Sequence, residues 1–264
     1  MAAEPRIRCV ERDGYAIRLS PAGTGPSVLG GVAVTSGGSY PERHGGIVVY
    51  VRDPERRRYW TTALHPGAPR PDRYGAWVDG AAPRFVREDD GIETVMEVVV
   101  AAGPAELRRV TIINHGTERR RVELTSYVPL ALDDPTAYAA HPAFSKLFLQ
   151  TEYVPELQGL LARRRPRSPD DPPLSVVHLL VPDEAAMASD AGGAAGSGRP
   201  GPESSEPEAP ELETDRARFL GRGRGPARPR AMDPDAPPLS GTTGSVLDPA
   251  LALRRSVVLA PGGA

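Results

Sequence analysis

"ELRRVTIINHGTERRRVELTSYVPLAL" spans Glu106–Leu132. Two apolar runs in it, "ELRRVTIIN" and "RRRVELTSY", are joined by "HGTE" at His115–Glu118, and short runs on either side of a turn predict a β-hairpin. In the second run Val122 and Leu124 alternate with Arg121, Glu123 and Thr125, the pattern of a strand with one packed face and one wet face. Moving outward, "APRFVRE" and "IETVMEVVV" flank the Asp-Gly turn signal "DDG" at Asp89–Gly91, and "GGIVVYVRD" and "RRRYWTT" flank Asp53-Pro54. Three consecutive hairpins make a meander, and a meander of this length buries its apolar face only by closing on itself or packing as a sandwich. Further strands are expected at "KLFLQTEY", "GLLARRR", "SVVHLLV" and "LALRRSVVL" (Leu251–Leu259). The last is followed by the turn signal "APGGA", so it is expected to lack one neighbour.

Composition agrees with a turn-rich β protein. The chain has 264 residues, 39% hydrophobic and 5% aromatic, and its 28 glycines and 30 prolines exceed a fifth of the whole. The formal charge of −2 supplies no global field for nucleic acid or an anionic membrane. Cys9 is the single cysteine, which excludes a disulfide framework and a thiolate zinc site. The N-terminus lacks an apolar signal core and no run approaches the roughly 20 apolar residues of a membrane span, so a soluble cytoplasmic chain without membrane insertion is expected. Lys146 is the only lysine among 32 basic residues. Glu184–Glu211, "EAAMASDAGGAAGSGRPGPESSEPEAPE", has almost nothing to bury and reads as a flexible insertion, because β-like sequence resumes after it.

The chemistry-bearing residues form no catalytic pattern. His44, His65, His115, His141 and His178 are scattered and have no metal-ligand spacing, so neither metal nor cofactor is expected. The pairs Asp89-Asp90, Asp133-Asp134 and Asp170-Asp171 each lie beside Gly or Pro, where aspartate caps turns. No serine sits in a nucleophile elbow. "ETDRARFLGRGRG" (Glu213–Gly225) invites comparison with a phosphate loop, but no Gly-Lys-Ser/Thr follows, and Pro226 precludes the helix that a dinucleotide fingerprint needs. An Arg-Gly tail for RNA needs repeats with interleaved aromatics, and only Phe219 is near. The residues instead read as a structural corner. Gly221, Gly223 and Gly225 permit positive φ, and Arg216, Arg222 and Arg224 pair with carboxylates such as Glu213 and Asp215.

Three stretches go beyond pattern: "HPAFSKLFLQTEYVPE" (His141–Glu156), "LLARRRPRSPDDPPLSVVHLLV" (Leu160–Val181), and "ETDRARFLGRGRG" followed by "PLSGTTGSVLDPALALRR" (Pro238–Arg255). Together with "RRVTIIN" and "TSYVPLAL" they closely resemble, in order, part of the cyclic β-1,2-glucan synthases that belongs to glycoside hydrolase family 94, formerly glycosyltransferase family 36. The resemblance covers about Tyr15 to Arg255. It implies an all-β fold, a large antiparallel β-supersandwich of the galactose mutarotase-like type with an incomplete C-terminal edge. Residues 1–13 would be an N-terminal extension, and 14–264 the supersandwich, interrupted at 184–211. In the family the sandwich binds carbohydrate and packs against an (α/α)₆-barrel that carries the catalytic acid. This chain is expected to hold the sandwich alone, without a catalytic residue. Its implied partners are β-1,2-glucan or a related oligosaccharide and a catalytic barrel domain or subunit. His141, Lys146, Arg216, Arg222 and Arg224 are the candidate substrate or barrel-interface residues. After "VAVT" (Val32–Thr35) the sequence departs from the family, continuing "SGGSYPERHGG" without the usual Trp and Arg. A second reading is an interaction or scaffold protein derived from that domain with no sugar binding. Aromatic residues are scarce, and Trp60 and Trp77 are the only tryptophans.

Overall fold

The computed structural model describes residues 7–263 except 38–44, 68, 81, 170 and 184–208. Most of the expected insertion and His44 therefore lie outside the described residues. Sixteen strands in the described residues form three antiparallel sheets. The largest contains β1 (Arg8–Arg12), β2 (Tyr15–Leu19), β3 (Ser27–Leu29), β4 (Val32–Thr35), β5 (Val48–Asp53), β6 (Arg58–Thr61), β11 (Arg120–Asp133), β15 (Glu211–Asp215) and β16 (Pro249–Leu259). A second sheet has β7 (Arg73–Trp77), β8 (Arg84–Asp89), β9 (Ile92–Ala101) and β10 (Ala105–Asn114). The third has β12 (Leu149–Val154), β13 (Gly159–Arg164) and β14 (Leu174–His178). Among the described residues there are also three short α-helices, α1 (Pro135–Ala140), α2 (Pro142–Lys146) and α3 (Arg216–Leu220). The fold is the expected nearly all-β, antiparallel sandwich. Arg8–Arg12, within the expected N-terminal extension, run beside β2 as β1.

Two of the three expected hairpins form. Asp53-Pro54 turns β5 into β6, and Asp89–Gly91 turns β8 into β9. The third does not. β10 pairs only with β9 among the described strands, and "HGTE" carries the chain from the second sheet to the first. A strand has two edges, and both edges of β11 are taken: β16 pairs along Arg120–Pro129 on one side, β5 and then β4 on the other. Asn114, which would open the hairpin, is bound instead to the C-terminal turn. Its N–H donates to Gly263 O at 2.9 Å, its carbonyl accepts from Gly262 N at 2.8 Å, and its side-chain amide donates to Ala260 O at 3.1 Å. The C-terminal strand is also less open than expected. β16 lies between β11 and β15 as far as Arg254, and among the described residues a second neighbour is lacking only along Arg255–Leu259, beyond the end of β15. There Arg255 Nε donates to Leu180 O at 2.9 Å.

Strand alternation divides the side chains of β11 and β16 between two cores. Val128, Leu130, Leu132, Leu251 and Leu253 pack with Phe85, Met96 and Val98 of the second sheet and Leu149, Leu160 and Ala162 of the third. Tyr127, Ala250 and Ala252 point the other way, with Val48 and Tyr50, onto Phe219, Leu220, Ala231 and Met232. Thr125 is fully buried and Glu123 only slightly exposed, so the face expected to be wet is covered. The cover is α3 and the proline-rich arm that follows it. Phe219 stacks on Tyr127 with centroids 4.8 Å apart and meets Tyr50 at 6.0 Å.

The arm lacks many N–H donors because of its prolines, and its carbonyls are satisfied by side chains rising from the sheet. Tyr50 Oη donates to Pro226 O at 2.7 Å, Tyr59 Oη to Ala227 O at 3.0 Å, Arg254 Nη2 to Ala231 O at 2.7 Å and Arg52 Nη2 to Pro234 O at 3.1 Å. Beneath the arm a charge ladder crosses four strands. Arg52 on β5 pairs with Glu123 on β11 at 3.1 Å. Arg254 on β16 donates to Thr125 at 3.0 Å and pairs with Glu211 on β15 at 3.4 Å. Burial pulls the Arg254 guanidinium pKa down, and Glu123 and Glu211 oppose that pull.

Two predictions follow from this packing. Phe219→Ala leaves a cavity between Tyr127, Tyr50 and the arm and is expected to cost about 3–5 kcal/mol in chemical denaturation. The second concerns His178, whose Nε2 is hydrogen-bonded to Ser126 Oγ at 2.7 Å and so ties β14 to β11. Burial of the ring pushes its pKa down to about 4, with Glu106 opposing, although the residue keeps some exposed surface. The unfolded chain therefore takes up a proton near pH 6.5 that the folded chain refuses until about pH 4. Stability is fully present above the unfolded value and is lost as pH falls. Urea denaturation should show roughly 2 kcal/mol lost between about pH 7 and about pH 5, a loss that is absent in His178→Gln.

Candidate functional site

The resembling stretches meet where β11 ends. Asp134 caps α1, its side chain accepting from Thr136 N and Ala137 N, both at 2.9 Å, and Pro135 opens the helix. Asp133 does something different. It accepts from Ser145 Oγ and pairs with Arg164 Nη2 at 2.7 Å, both ionic side chains being more than nine-tenths buried. Arg164 also donates to Ser145 O at 3.1 Å and stands over the Phe148 ring. Burial lowers its pKa, and Asp133 holds the charge in place. The other acidic pairs divide similarly. Asp171 caps a turn through Arg167 N and Ser168 N, and Asp90 sits at positive φ in the β8–β9 turn. Asp89 instead holds the fully buried Arg87 at 2.6 Å, while Asp170 lies outside the described residues.

Of the five candidate residues, two are brought together. Asp248 accepts from Lys146 Nζ at 2.6 Å and from Arg216 Nη1 at 3.1 Å, and its carbonyl accepts from Arg216 N at 2.9 Å. This one carboxylate fastens α2 to the start of α3. His141 is exposed at the junction of α1 and α2; its backbone bonds to Ala137 and Ser145, and its ring makes no hydrogen bond among the described residues. Arg224 is half-exposed, and its Nη1 donates to both carboxylate oxygens of Asp233 at 2.8 Å. Arg222 is exposed and makes no ion pair among the described residues.

Arg216 and Arg224 do find carboxylates, Asp248 and Asp233. Glu213 accepts from Ser240 Oγ at 2.6 Å, and Asp215 caps α3 through Ala217 N at 2.8 Å. Gly221 ends α3 at φ 85°, and a Cβ there would lie 3.0 Å from Arg230 Cβ. Gly223 is also at positive φ, whereas Gly225 is not. The resembling motif already contained Asp248, ahead of Pro249, but only the fold shows that it binds residues 102 and 32 positions away.

Among the described residues no group of three His, Cys, Asp or Glu side chains is placed to hold a metal ion. No helix in the described residues is long and apolar enough to cross a membrane. A shallow crevice between β5, β6 and β9, with Thr24 and Arg108 on its wall, has no internal space large enough for a water molecule. The two tryptophans have opposite environments: Trp60 is 1% exposed within the core and Trp77 is 58% exposed on β7.

Residues 2–264 match the family described as glycosyl hydrolase 94, supersandwich domain. The chain is also 37% identical over 254 residues to the cyclic beta-(1,2)-glucan synthase NdvB of Rhizobium meliloti (strain 1021), an alignment that covers 94% of this chain and 8% of that relative. The chain thus spans less than a tenth of the length of the relative it matches. With three packed antiparallel sheets, a match along its whole length and the resembling stretches joined through Asp133 and Asp248, the chain belongs to the glycosyl hydrolase 94 supersandwich family.

Proposed function

We propose that this chain is a non-catalytic, carbohydrate-binding supersandwich unit, residues 14–264 with an insertion at 184–211, that works beside a catalytic domain or subunit of (α/α)₆-barrel type. The observation that carries this reading is the match to a glucan synthase along nearly all of this chain and only 8% of the relative, which leaves most of the relative's length for the chemistry. The ligand is a β-1,2-glucan or related oligosaccharide. The single cysteine, exposed and unpaired, fits a cytoplasmic setting.

The pairing of Lys146 and Arg216 with one carboxylate gives these residues a positioning role at the surface that meets the barrel. His141 and Arg222 are the exposed contacts there, and Arg224 braces the arm. The second reading, a scaffold without sugar binding, is favoured by the same observation, because Lys146, Arg216 and Arg224 already have carboxylate partners.

Calorimetric titration of the chain with β-1,2-glucooligosaccharides separates the two readings. Saturable heat supports carbohydrate binding, and none at millimolar ligand supports the scaffold. Phosphorolysis of β-1,2-glucan by the chain alone should give no turnover; clear turnover contradicts the non-catalytic assignment. The pair Arg222→Ala with His141→Ala should leave stability within about 0.5 kcal/mol and weaken association with the separately produced catalytic portion. Asp248→Asn, by contrast, should cost about 1–3 kcal/mol of stability, because two cations lose their shared acceptor.

A further inference from the structure

The outer face of the second sheet carries a row of residues that neither the core nor the motif cluster uses. Trp77 on β7 stands opposite Arg84 on β8, Arg84 opposite Glu97 on β9, and Glu97 opposite Arg109 on β10. Directly opposed residues share a face, and strands are spaced about 4.8 Å apart, so the row spans about 14 Å. It ends in the one tryptophan that is 58% exposed.

The indole lies over Gly75. A Cβ on Gly75 would lie 2.5 Å from Trp77 Cη2, 2.9 Å from Cζ3 and 3.3 Å from Cζ2, so the six-membered ring rests where a side chain at residue 75 would stand. Any other residue at 75 displaces it. The ring lies back along its own strand with much of its surface in water, so it contributes little to the core and presents an apolar plate to solvent. Beside it Arg84 and Glu97, although opposed, make no ion pair or hydrogen bond among the described residues, so a guanidinium and a carboxylate both face solvent with capacity unused. Arg109 at the far end has, among the described residues, only an exposed contact of 3.5 Å with Asp183.

We propose that this row is a glycan platform: a pyranose stacks its C–H face on Trp77 while hydroxyls of the adjoining residues bond to Arg84 and Glu97. The chemistry selects a neutral polyhydroxylated ligand. One flat ring suits an apolar sugar face, paired donors and acceptors suit hydroxyls, and the balance of Arg84 and Arg109 against Glu97 and Asp183 gives no net field for a polyanion. The span of the row matches two to three sugar units rather than one. This inference rests on the carbohydrate-binding reading and adds its location.

The test is titration of the full chain with β-1,2-glucooligosaccharides, followed by calorimetry and by acrylamide quenching of tryptophan fluorescence, since Trp60 is buried and Trp77 is the accessible emitter. In the unsubstituted protein bound glucan should shield Trp77 from quencher. Trp77→Ala should weaken binding by roughly tenfold or more and Trp77→Phe by less, while Arg84→Ala should weaken it about three- to tenfold. Gly75→Ala, which displaces the ring and keeps it, should weaken binding with circular dichroism unchanged. Equal affinity of Trp77→Ala and the unsubstituted protein overturns the platform and leaves carbohydrate binding standing at another place. Absence of binding by the unsubstituted protein overturns the carbohydrate reading itself and the platform with it.

Discussion

Arg254 places a positive charge in the middle of β16, under a layer of protein, and the molecule is arranged to match that charge. Its guanidinium reaches Thr125 on one neighbouring strand, Glu211 on the other, and the Ala231 carbonyl above; Arg52 completes the ladder by sharing Glu123. Removal of one partner from such a group leaves a buried charge uncompensated, at a cost of about 3–5 kcal/mol. The network also fixes register. Arg52 stands opposite Glu123, Arg254 opposite Thr125 and Glu211, and a slip of one residue would turn each of them toward the apolar core. With four strands locked, Arg52 and Arg254 on the upper side of the ladder donate to the Pro234 and Ala231 carbonyls of the proline-rich arm.

Local chemistry was readable where it acts over a few residues. The turns at Asp53-Pro54 and Asp89–Gly91 and the cap at Asp134 depend on near neighbours, and the structure has them. What stayed hidden depends on residues far away in sequence. "HGTE" looks like a hairpin loop because nothing local reveals that β11 already pairs with β5 and β16. The wet face read from Glu123 and Thr125 is dry because a segment about 100 residues later folds over it. Acidic pairs split for the same reason: Asp134 finds backbone donors beside it, while Asp133 finds Arg164.

The residues that carry the family resemblance are largely those that hold distant segments together. Asp133, Arg164 and Ser145 form one junction; Lys146, Arg216 and Asp248 form the next. The glycine corner that invites a phosphate-loop reading is a helix end whose phenylalanine seals the outer core. Other exposed side chains are His141 at the α1–α2 junction, Arg222 just after α3 and Trp77 on the second sheet. Trp77 is unremarkable in sequence; the signal, Gly75 two residues before it, acquires meaning only once both are on one face of a strand.

Hydrogen–deuterium exchange of Arg254→Met beside the unsubstituted protein tests most directly whether the buried ladder holds the arm. The substitution keeps an unbranched apolar stem and removes the donors. Exchange should quicken in peptides covering 216–240 and β15, with β9 and β10 protected as before. Unchanged protection of 216–240 in Arg254→Met would contradict the account.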